Sequence, residues 1–408
     1  MSDLRALRPV LPILIGASLM LTMSLGLRQS LGVLMPALTK DVGISVSQFT
    51  LAIAAQNLVW GLLQPFAGAL AVRVGYRPVM LAGALLYVLG MLLLATAQGM
   101  LGVTLGAGLA VGMSMACTGS AIAMAVTSRS VSLAVRSSVL GLVSAAGSLG
   151  ALLAAPIGQV LSQEYGWRVG VGGFMVLSMV IIPAAWYAGR VDALPIAPSP
   201  DGEETSATVA AVQALKHAPF VVMTLAYFVC GMQLVFLTTH LPSYLDNCGL
   251  DPMLSAQALG VIGGFNILGS LFFGWAGGRW NKLMLLGAIY TLRSLGLAWF
   301  FLSTATPANT LVFAAIMGFL WLGVAPLMAG YIAETFGLRW LAMLSGIAFM
   351  SHQVGSFVGA LGGGLAYDML GSYNLAIQIG VSVGLVAGVV QIAFAVSGSN
   401  RPPSLSPA

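Results

Sequence analysis

The chain has 408 residues, of which 59% are hydrophobic and 7% are charged, and its mean hydropathy is +0.97. A soluble domain carries about 25% charged residues, so this composition excludes a water-soluble globule of this size. A charged side chain at the centre of a bilayer costs at least roughly 2.5–3.5 kcal/mol. The 16 Lys and Arg and 11 Asp and Glu residues therefore belong mostly in loops. The sequence predicts a polytopic membrane protein without a nucleic-acid partner, although its formal net charge is +5.

Twelve apolar runs are long enough to span a membrane as helices. A spanning helix needs about 20 predominantly apolar residues, whereas a membrane β-strand needs about 9–11, so runs of this length favour an all-α protein. In chain order the predicted spans are 10–37, 48–72, 79–97, 100–126, 138–161, 168–189, 218–241, 255–277, 282–303, 308–331, 341–367 and 372–396. The first is predicted to be an uncleaved helix, because its apolar stretch exceeds the roughly 7–15 residues of a signal-peptide core.

Positive charges in the loops predict the orientation of the spans. With the N-terminus inside, twelve of the 16 Lys and Arg residues fall in inner segments, and Lys40 and Arg168 fall in outer loops. The other two, Arg28 and Arg293, lie within spans. Because cytoplasmic loops carry the excess of Lys and Arg, we expect both termini to be cytoplasmic.

The polar segment 190–217 divides the chain into two halves. It contains Pro, Ser, Thr and an acidic cluster, and is predicted to be a cytoplasmic linker between the six-helix halves 1–189 and 218–396. Residues 397–408 are predicted to form a cytoplasmic tail.

The two halves carry related motifs. After span 2 the chain has Gly68 followed by the run Arg73-Val-Gly75-Tyr-Arg77, and after span 8 it has Gly274 and Arg279. Gly68 and Gly274 are 206 positions apart, as are Arg73 and Arg279. Span 11 ends near Asp368 much as span 5 ends near Glu164. This pattern indicates an internal duplication, which in transporters places the substrate site near the midplane between the repeats.

The repeated turn and the 6+6 organisation with a long central loop resemble the major facilitator superfamily. The resemblance covers the whole chain and implies two pseudo-symmetric halves that expose a central site alternately to each side of the membrane. The family usually has an acidic residue directly before the first arginine of the turn, where this chain has Val72 and, in the second half, Gly278. The clamp that this acid provides in the family is therefore not expected at that position.

Basic residues inside the spans are the main functional candidates, because ionisable groups there face the bundle interior or a watery cavity. No Asp or Glu falls deep within a span, whereas Arg28, Arg293 and His352 do. A cavity lined by these groups would favour an anionic substrate, since a buried cation requires a counter-ion. Arg28 is predicted to pair with a substrate carboxylate, which a planar guanidinium matches bidentately. The alternative is an arginine that hydrogen-bonds helix carbonyls or extends toward the headgroups.

Other polar side chains have both a structural and a functional interpretation. Arg293 is expected to act inside the second half, because span 9 is peripheral in the resembled fold, and His240 is expected to be structural. His352 remains open between an anion donor, a titrating group and a packing residue. Gln56, Trp60 and Gln64 share one face of span 2, either as a cavity wall or as interhelical hydrogen-bond partners. Asn266 and Ser270 share a face of span 8. The predicted substrate-binding residues are Arg28, Gln29, Gln56, Trp60, Tyr227, Asn266, His352 and Gln353, and the predicted gating or structural residues are Gly68, Arg73, Gly75, Arg77, Gly274, Arg279, Arg293 and Asp368.

The run from Ser351-His-Gln-Val-Gly-Ser-Phe to Tyr373 resembles the bacterial monocarboxylate and oxalate–formate-like branch of the superfamily. That resemblance implies a secondary transporter for a small organic anion, working as a monomer without a cofactor, by proton symport or anion exchange. It also implies a location in a bacterial inner membrane. The chain departs from animal monocarboxylate carriers at Asn266 and Ser270, where those carriers have an Asp and an Arg. An efflux pump for drugs or metabolites is the alternative, although the cationic drugs usually require an intramembrane acid.

Enzymatic functions have no support in the sequence. The phosphate-binding GxxxxGK[ST] loop of ATP-driven pumps and the HExxH motif are absent. No GxSxG nucleophile elbow is expected, because the one match, at Gly380–Gly384, lies within a predicted membrane span and not at a strand-to-helix turn. The cysteines Cys117, Cys230 and Cys248 show no metal-binding spacing, so no metal is expected. A sensor would be expected to carry an appended soluble domain, and the pattern of spans predicts none, so a sensor is not expected.

Overall fold

The computed structural model of the protein describes residues 7–195 and 206–397. In these two segments every regular element is a helix, and twelve helices are long and apolar enough to cross a membrane. We number them α1 to α12: Arg8–Val42, Val46–Val74, Tyr76–Ala95, Met100–Ser130, Leu133–Tyr165, Trp167–Ala193, Ala218–Asn247, Met253–Ala276, Lys282–Leu302, Pro307–Phe336, Leu341–Leu370 and Asn374–Val396. Each overlaps one predicted span, which confirms the predicted fold class.

Two boundaries differ from the sequence prediction in ways that affect function. Helix α7 continues to Asn247, so that His240 lies inside the helix and not at its end. The α6 span continues to Ala193, which places Asp192, predicted in the linker, at the end of the first half. The described part of the linker contains a further helix, Ala207–Lys216, whose Ala210 and Ala214 are buried.

The turn between α2 and α3 depends on a glycine and a distant carboxylate. Gly75 has φ of 97°, a backbone conformation that favours glycine. The next two backbone N–H groups, of Tyr76 and Arg77, donate to the two carboxylate oxygens of Asp192 at 2.8 and 2.9 Å. An acid at a helix N-terminus satisfies free amides and complements the helix dipole. Asp192 therefore ties the end of α6 to the start of α3.

The two halves pack closely at one end of the bundle. We call this the basic end, because Arg73, Arg136 and Arg279 lie there, and the other the opposite end. In this region α5 meets α8 so tightly that a Cβ added to Gly274 would lie 2.5 Å from the Cα of Gly141. Helix α2 packs against α11 in the same way, with Gly68 against the backbone of Ala342 and Met343.

Toward the opposite end α2 and α11 separate. Gln353 of α11 contacts Gly61 of α2 near mid-membrane. Phe357 and Leu361 follow Gln353 by four and eight residues on the same helix face, yet they are 44% and 50% exposed. The halves thus border a cavity that is closed at the basic end and open at the opposite end.

Candidate functional site

Arg28 lies on α1 near the point where the halves separate, and its side chain is half-buried. Its Nη2 donates a hydrogen bond to Oδ1 of Asn57 on α2. The guanidinium also lies over the indole of Trp60, 5.0 Å from the ring centroid, a cation–π geometry. Two residues one turn apart on α2 thus hold the guanidinium at the edge of the cavity.

A polar and aromatic row crosses from this arginine to the second half. Nε2 of Gln353 on α11 donates to the backbone oxygen of Asn57 at 3.2 Å, so Asn57 has partners in both halves. The rings of Trp60 and Phe349 lie 4.5 Å apart, centroid to centroid. Phe349 in turn stacks on His352 at 5.5 Å. We call Arg28, Asn57, Trp60, Tyr227, Phe349, His352 and Gln353 the midplane cluster.

His352 occupies the second-half side of the midplane cluster. Its ring lies 4.6 Å from that of Tyr227 on α7. Its Nδ1 is 3.4 Å from Oε1 of Gln353 and 3.4 Å from Oγ of Ser356, so its polar contacts are long. The imidazole is therefore held mainly by ring packing, and its Nε2 has no hydrogen bond to a residue that the structure describes.

Two predicted binding residues, Gln56 and Asn266, have hydrogen-bond partners on neighbouring helices. Gln56 is fully buried, and its Nε2 donates at 2.5 Å to the carbonyl of Ala107, in a π-helical turn of α4. Asn266 accepts the backbone N–H of Leu322 at 3.1 Å, where α10 is interrupted between Phe319 and Val324. Broken backbone inside a membrane requires such side-chain partners. Interhelical hydrogen bonds hold both side chains outside the midplane cluster, and a role for them in substrate binding stays a prediction.

Gln29 lies outside the midplane cluster but next to it. It is exposed on α1, and Gly32, one turn further along, has open space where a side chain would lie. A role for Gln29 in substrate binding therefore stays a prediction.

Arg293 is completely buried inside the second half. Its Nε donates to Oε1 of Gln233 at 3.0 Å, and Nη1 lies 3.3 Å from Sγ of Cys230, both on α7. Nε2 of Gln233 donates to Ser294 and to the carbonyl of Gly380, both at 2.9 Å. The guanidinium thus joins α7 to α9, while Gln233 extends the link to α12.

The residues of the two repeated turns lie at the basic end, whereas Asp368, also predicted to be a gating or structural residue, does not. Arg73 and Arg279 are exposed, and Arg279 lies over Trp275 at 4.4 Å. Arg77 lies over Trp186 of α6 at 4.7 Å. Asp368 is exposed near the end of α11, on the opposite side of the membrane from the turns.

The middle of the bundle is positively charged. The ion pairs that the described segments contain are Arg168–Asp41 and Lys282–Glu334, and both lie near helix ends. Neither Arg28 nor Arg293 forms one, and no described His, Cys, Asp and Glu side chains cluster as metal ligands. The midplane cluster therefore offers donors to an anion but no acid to a cation.

Asn57 and Phe349 are the members of the midplane cluster that the prediction did not include. Phe349 precedes His352 by three residues and so shares its helix face, a signal that was present in the sequence. Asn57 follows Gln56 by one residue, and a rotation of about 100° per residue places it on the face that meets α11.

The model of the Major Facilitator Superfamily matches residues 14–360. The chain belongs to the major facilitator superfamily. Members of this superfamily are transporters, so the protein is a membrane transporter and not an enzyme.

Comparison with individual proteins agrees with this assignment. The chain is 27% identical to monocarboxylate transporter 13 of Rattus norvegicus over 339 residues, covering 82% of this chain and 74% of the relative. It is 27% identical over 173 residues to the uncharacterized MFS-type transporter YcxA of Bacillus subtilis, covering 41% and 42%. The E. coli fucose:proton symporter FucP shares the fold, with a TM-score of 0.72, 14% identity and coverage of 93% and 98%. The two relatives found by sequence are consistent with a monocarboxylate-like branch of the superfamily, whereas FucP shows the fold alone.

Proposed function

We propose that this major facilitator protein is a secondary active transporter for a small organic anion, in the first instance a monocarboxylate. The observation that carries the proposal is the half-buried guanidinium of Arg28, which lies at the edge of the cavity and pairs with no carboxylate of residues 7–195 or 206–397. A desolvated cation gains most from a ligand of opposite charge, and guanidinium matches a carboxylate in shape and hydrogen-bonding. Monocarboxylate transporters among the relatives support the same substrate class.

The contacts of Asn57 suggest how binding is coupled to movement of the halves. Asn57 accepts from Arg28 of the first half and from Gln353 of the second. A carboxylate that takes the Nη2 hydrogen of Arg28 frees Oδ1 of Asn57, which can then strengthen its contact with Gln353. Binding of the anion thereby favours closer approach of α1, α2 and α11 around it, as alternating access requires.

We also propose that the basic end faces the cytoplasm, so that the cavity opens to the outside. The excess of Lys and Arg at the basic end supports this orientation, and the fold is similar to FucP in its outward conformation, with a TM-score of 0.70 and 14% identity. Cys248 provides the test, because it is exposed at the opposite end whereas Cys230 is buried. In intact spheroplasts a membrane-impermeant maleimide should label Cys248, and the Cys248→Ser variant should lose the label. Labelling that appears only after membrane disruption would place the basic end outside.

Transport in proteoliposomes tests the substrate class. For the wild-type protein, counterflow should detect transport of radiolabelled lactate, and a thermal shift in detergent should detect binding of small carboxylates. Hydrogen bonds to charged groups contribute about 1.5–3 kcal/mol, so Arg28→Gln should weaken carboxylate binding roughly 10- to 150-fold. Arg190→Gln, which removes an exposed arginine over Tyr187 at the basic end, is the matched control and should bind normally.

Two outcomes would contradict the proposal. Unchanged carboxylate binding by Arg28→Gln would make this arginine structural. Stabilisation by cationic drugs, unaffected by that substitution, would favour an efflux pump. The same vesicles distinguish proton symport from anion exchange. In the absence of a counter-substrate, only symport of lactate with a proton acidifies the lumen.

A further inference from the structure

A second cavity lies inside the second half, away from the midplane cluster. Its volume is about 310 Å³, and it is bordered by α7, α9, α11 and α12 near the opposite end. Apart from Gln233, every residue of its wall is apolar or glycine. Pockets that bind small molecules begin at about 300 Å³, so the space is large enough for a ligand.

The wall has no polar group to offer a ligand. Both amide hydrogens of Gln233 are donated, one to Ser294 and one to the carbonyl of Gly380, and its oxygen accepts from Arg293. A buried water requires two to four polar partners, which this space does not supply. An occupant must therefore be apolar.

Two glycines produce the volume of the cavity. A Cβ added to Gly362 or to Gly380 would meet no atom within 4 Å. Gly359, one turn before Gly363 on α11, differs, because its Cβ would lie 2.1 Å from the carbonyl oxygen of Met232 on α7. Close helix packing explains Gly359 but does not explain Gly362 or Gly380. A side chain can therefore begin at either of these two positions without meeting the wall, and we expect leucine there to occupy part of the cavity.

The cavity faces the bilayer and not the interface between the halves. Gly362 follows Gln353 by nine residues, about two and a half helical turns, so it lies on the side of α11 away from α2. The rim is apolar and exposed: Met369 is 80% exposed and Ile379 is 49% exposed. At this depth in a membrane the surrounding solvent is hydrocarbon.

We propose that this cavity binds a single hydrocarbon chain, which enters between α11 and α12 from the leaflet at the opposite end. A void in a packed protein loses dispersion contacts along its lining, and an acyl chain from the adjoining leaflet restores them without any polar cost. The chain belongs either to a phospholipid or to a free fatty acid. It lies against the side chain of Gln233, which positions Arg293, so its occupancy stiffens the link between α7, α9 and α12.

Photolabelling in proteoliposomes tests this proposal. One sample contains a phosphatidylethanolamine with a diazirine on its acyl chain, and a second contains a diazirine fatty acid. After irradiation, peptide mass spectrometry should place the adducts on residues 358–380. Gly380→Leu and Gly362→Leu should each reduce this labelling at least fivefold. Gly264→Leu is the matched control, because a Cβ added to Gly264 of α8 would also meet no atom within 4 Å. This substitution should leave the labelling unchanged.

The two probes distinguish the sources of the chain. Labelling by the phospholipid identifies a bilayer lipid, and labelling by the fatty acid alone identifies a free amphiphile; either result supports the cavity when the leucine variants lose it. Equal labelling of wild type and both leucine variants, with all proteins monodisperse and of normal melting temperature, overturns the proposal. Adducts spread evenly along the lipid-facing surfaces of α11 and α12 overturn it as well.

Discussion

Alanine at Gly274 should shift the transporter away from the conformation described above. In that conformation an added Cβ would lie 2.5 Å from Cα of Gly141 and 3.0 Å from the carbonyl oxygen of Ser137. These are backbone atoms of α5 and cannot rotate aside, so α5 and α8 must separate at the basic end. Overpacking of this kind costs typically about 1–3 kcal/mol, which corresponds to a change of roughly 5- to 150-fold in the ratio of two conformations.

Cysteine accessibility in the cavity measures this shift. Leu361→Cys, in a background without the three native cysteines, places a thiol on the exposed cavity face of α11. A water-soluble maleimide should label it rapidly when Gly274 is present and at least fivefold more slowly with Gly274→Ala, because closure at the opposite end accompanies opening at the basic end. Gly172→Ala is the control, since its Cβ would meet no atom within 4 Å.

An unchanged labelling rate in a folded Gly274→Ala protein would refute this reasoning. It would mean that α5 and α8 can accommodate a methyl group without parting, and that the glycine contact does not determine which end is closed. Loss of labelling in the Gly172→Ala control would show instead that any added alanine in the bundle alters the equilibrium between the two conformations.

Two further predictions concern stability, measured as melting temperature in detergent. Asp192→Ala should destabilise the protein by about 0.5–2 kcal/mol because α3 loses its cap, and Asp192→Asn should recover part of this; equal stability of Ala and wild type would contradict the capping role. Gln233→Leu should cost about 3 kcal/mol or more, because it removes the oxygen that pairs with buried Arg293. Gln391→Leu is the contrasting case, since the Gln391 side chain is equally buried without a hydrogen-bond partner in the described segments, and it should be neutral or stabilising.

The fold could be predicted because its main cause is local. Twelve apolar runs of spanning length require twelve helices, and the charged residues in the loops fix their alternation. The end of α6 was harder, because the sequence around Asp192 has the composition of a linker. Only the three-dimensional structure shows that the carboxylate returns to the N-terminus of α3.

The midplane cluster was predicted in part, and the differences between the predicted residues and the cluster have one physical origin. Spacing along α2 shows that Gln56 and Trp60 share a face, but it does not show which neighbour that face meets. The rotation of α2 directs Gln56 into the first half against α4, while Asn57, about 100° further round, meets Gln353 of α11. In a helix that is apolar on most sides, periodicity alone cannot fix this rotation.

Arg28 and Arg293 show that surroundings, not charge, separate a binding residue from a structural one. Arg293 has no exposed surface, and its described hydrogen-bond partners, Gln233 and Cys230, lie within one half. Movement between the halves therefore leaves its contacts unchanged. Arg28 is half-buried, and its partner Asn57 also accepts from the other half. Only Arg28 can exchange a protein partner for a ligand while the halves move. Removal of the charge at Arg28 should therefore weaken anion binding with little loss of stability. Removal of the charge at Arg293 should instead lower the melting temperature.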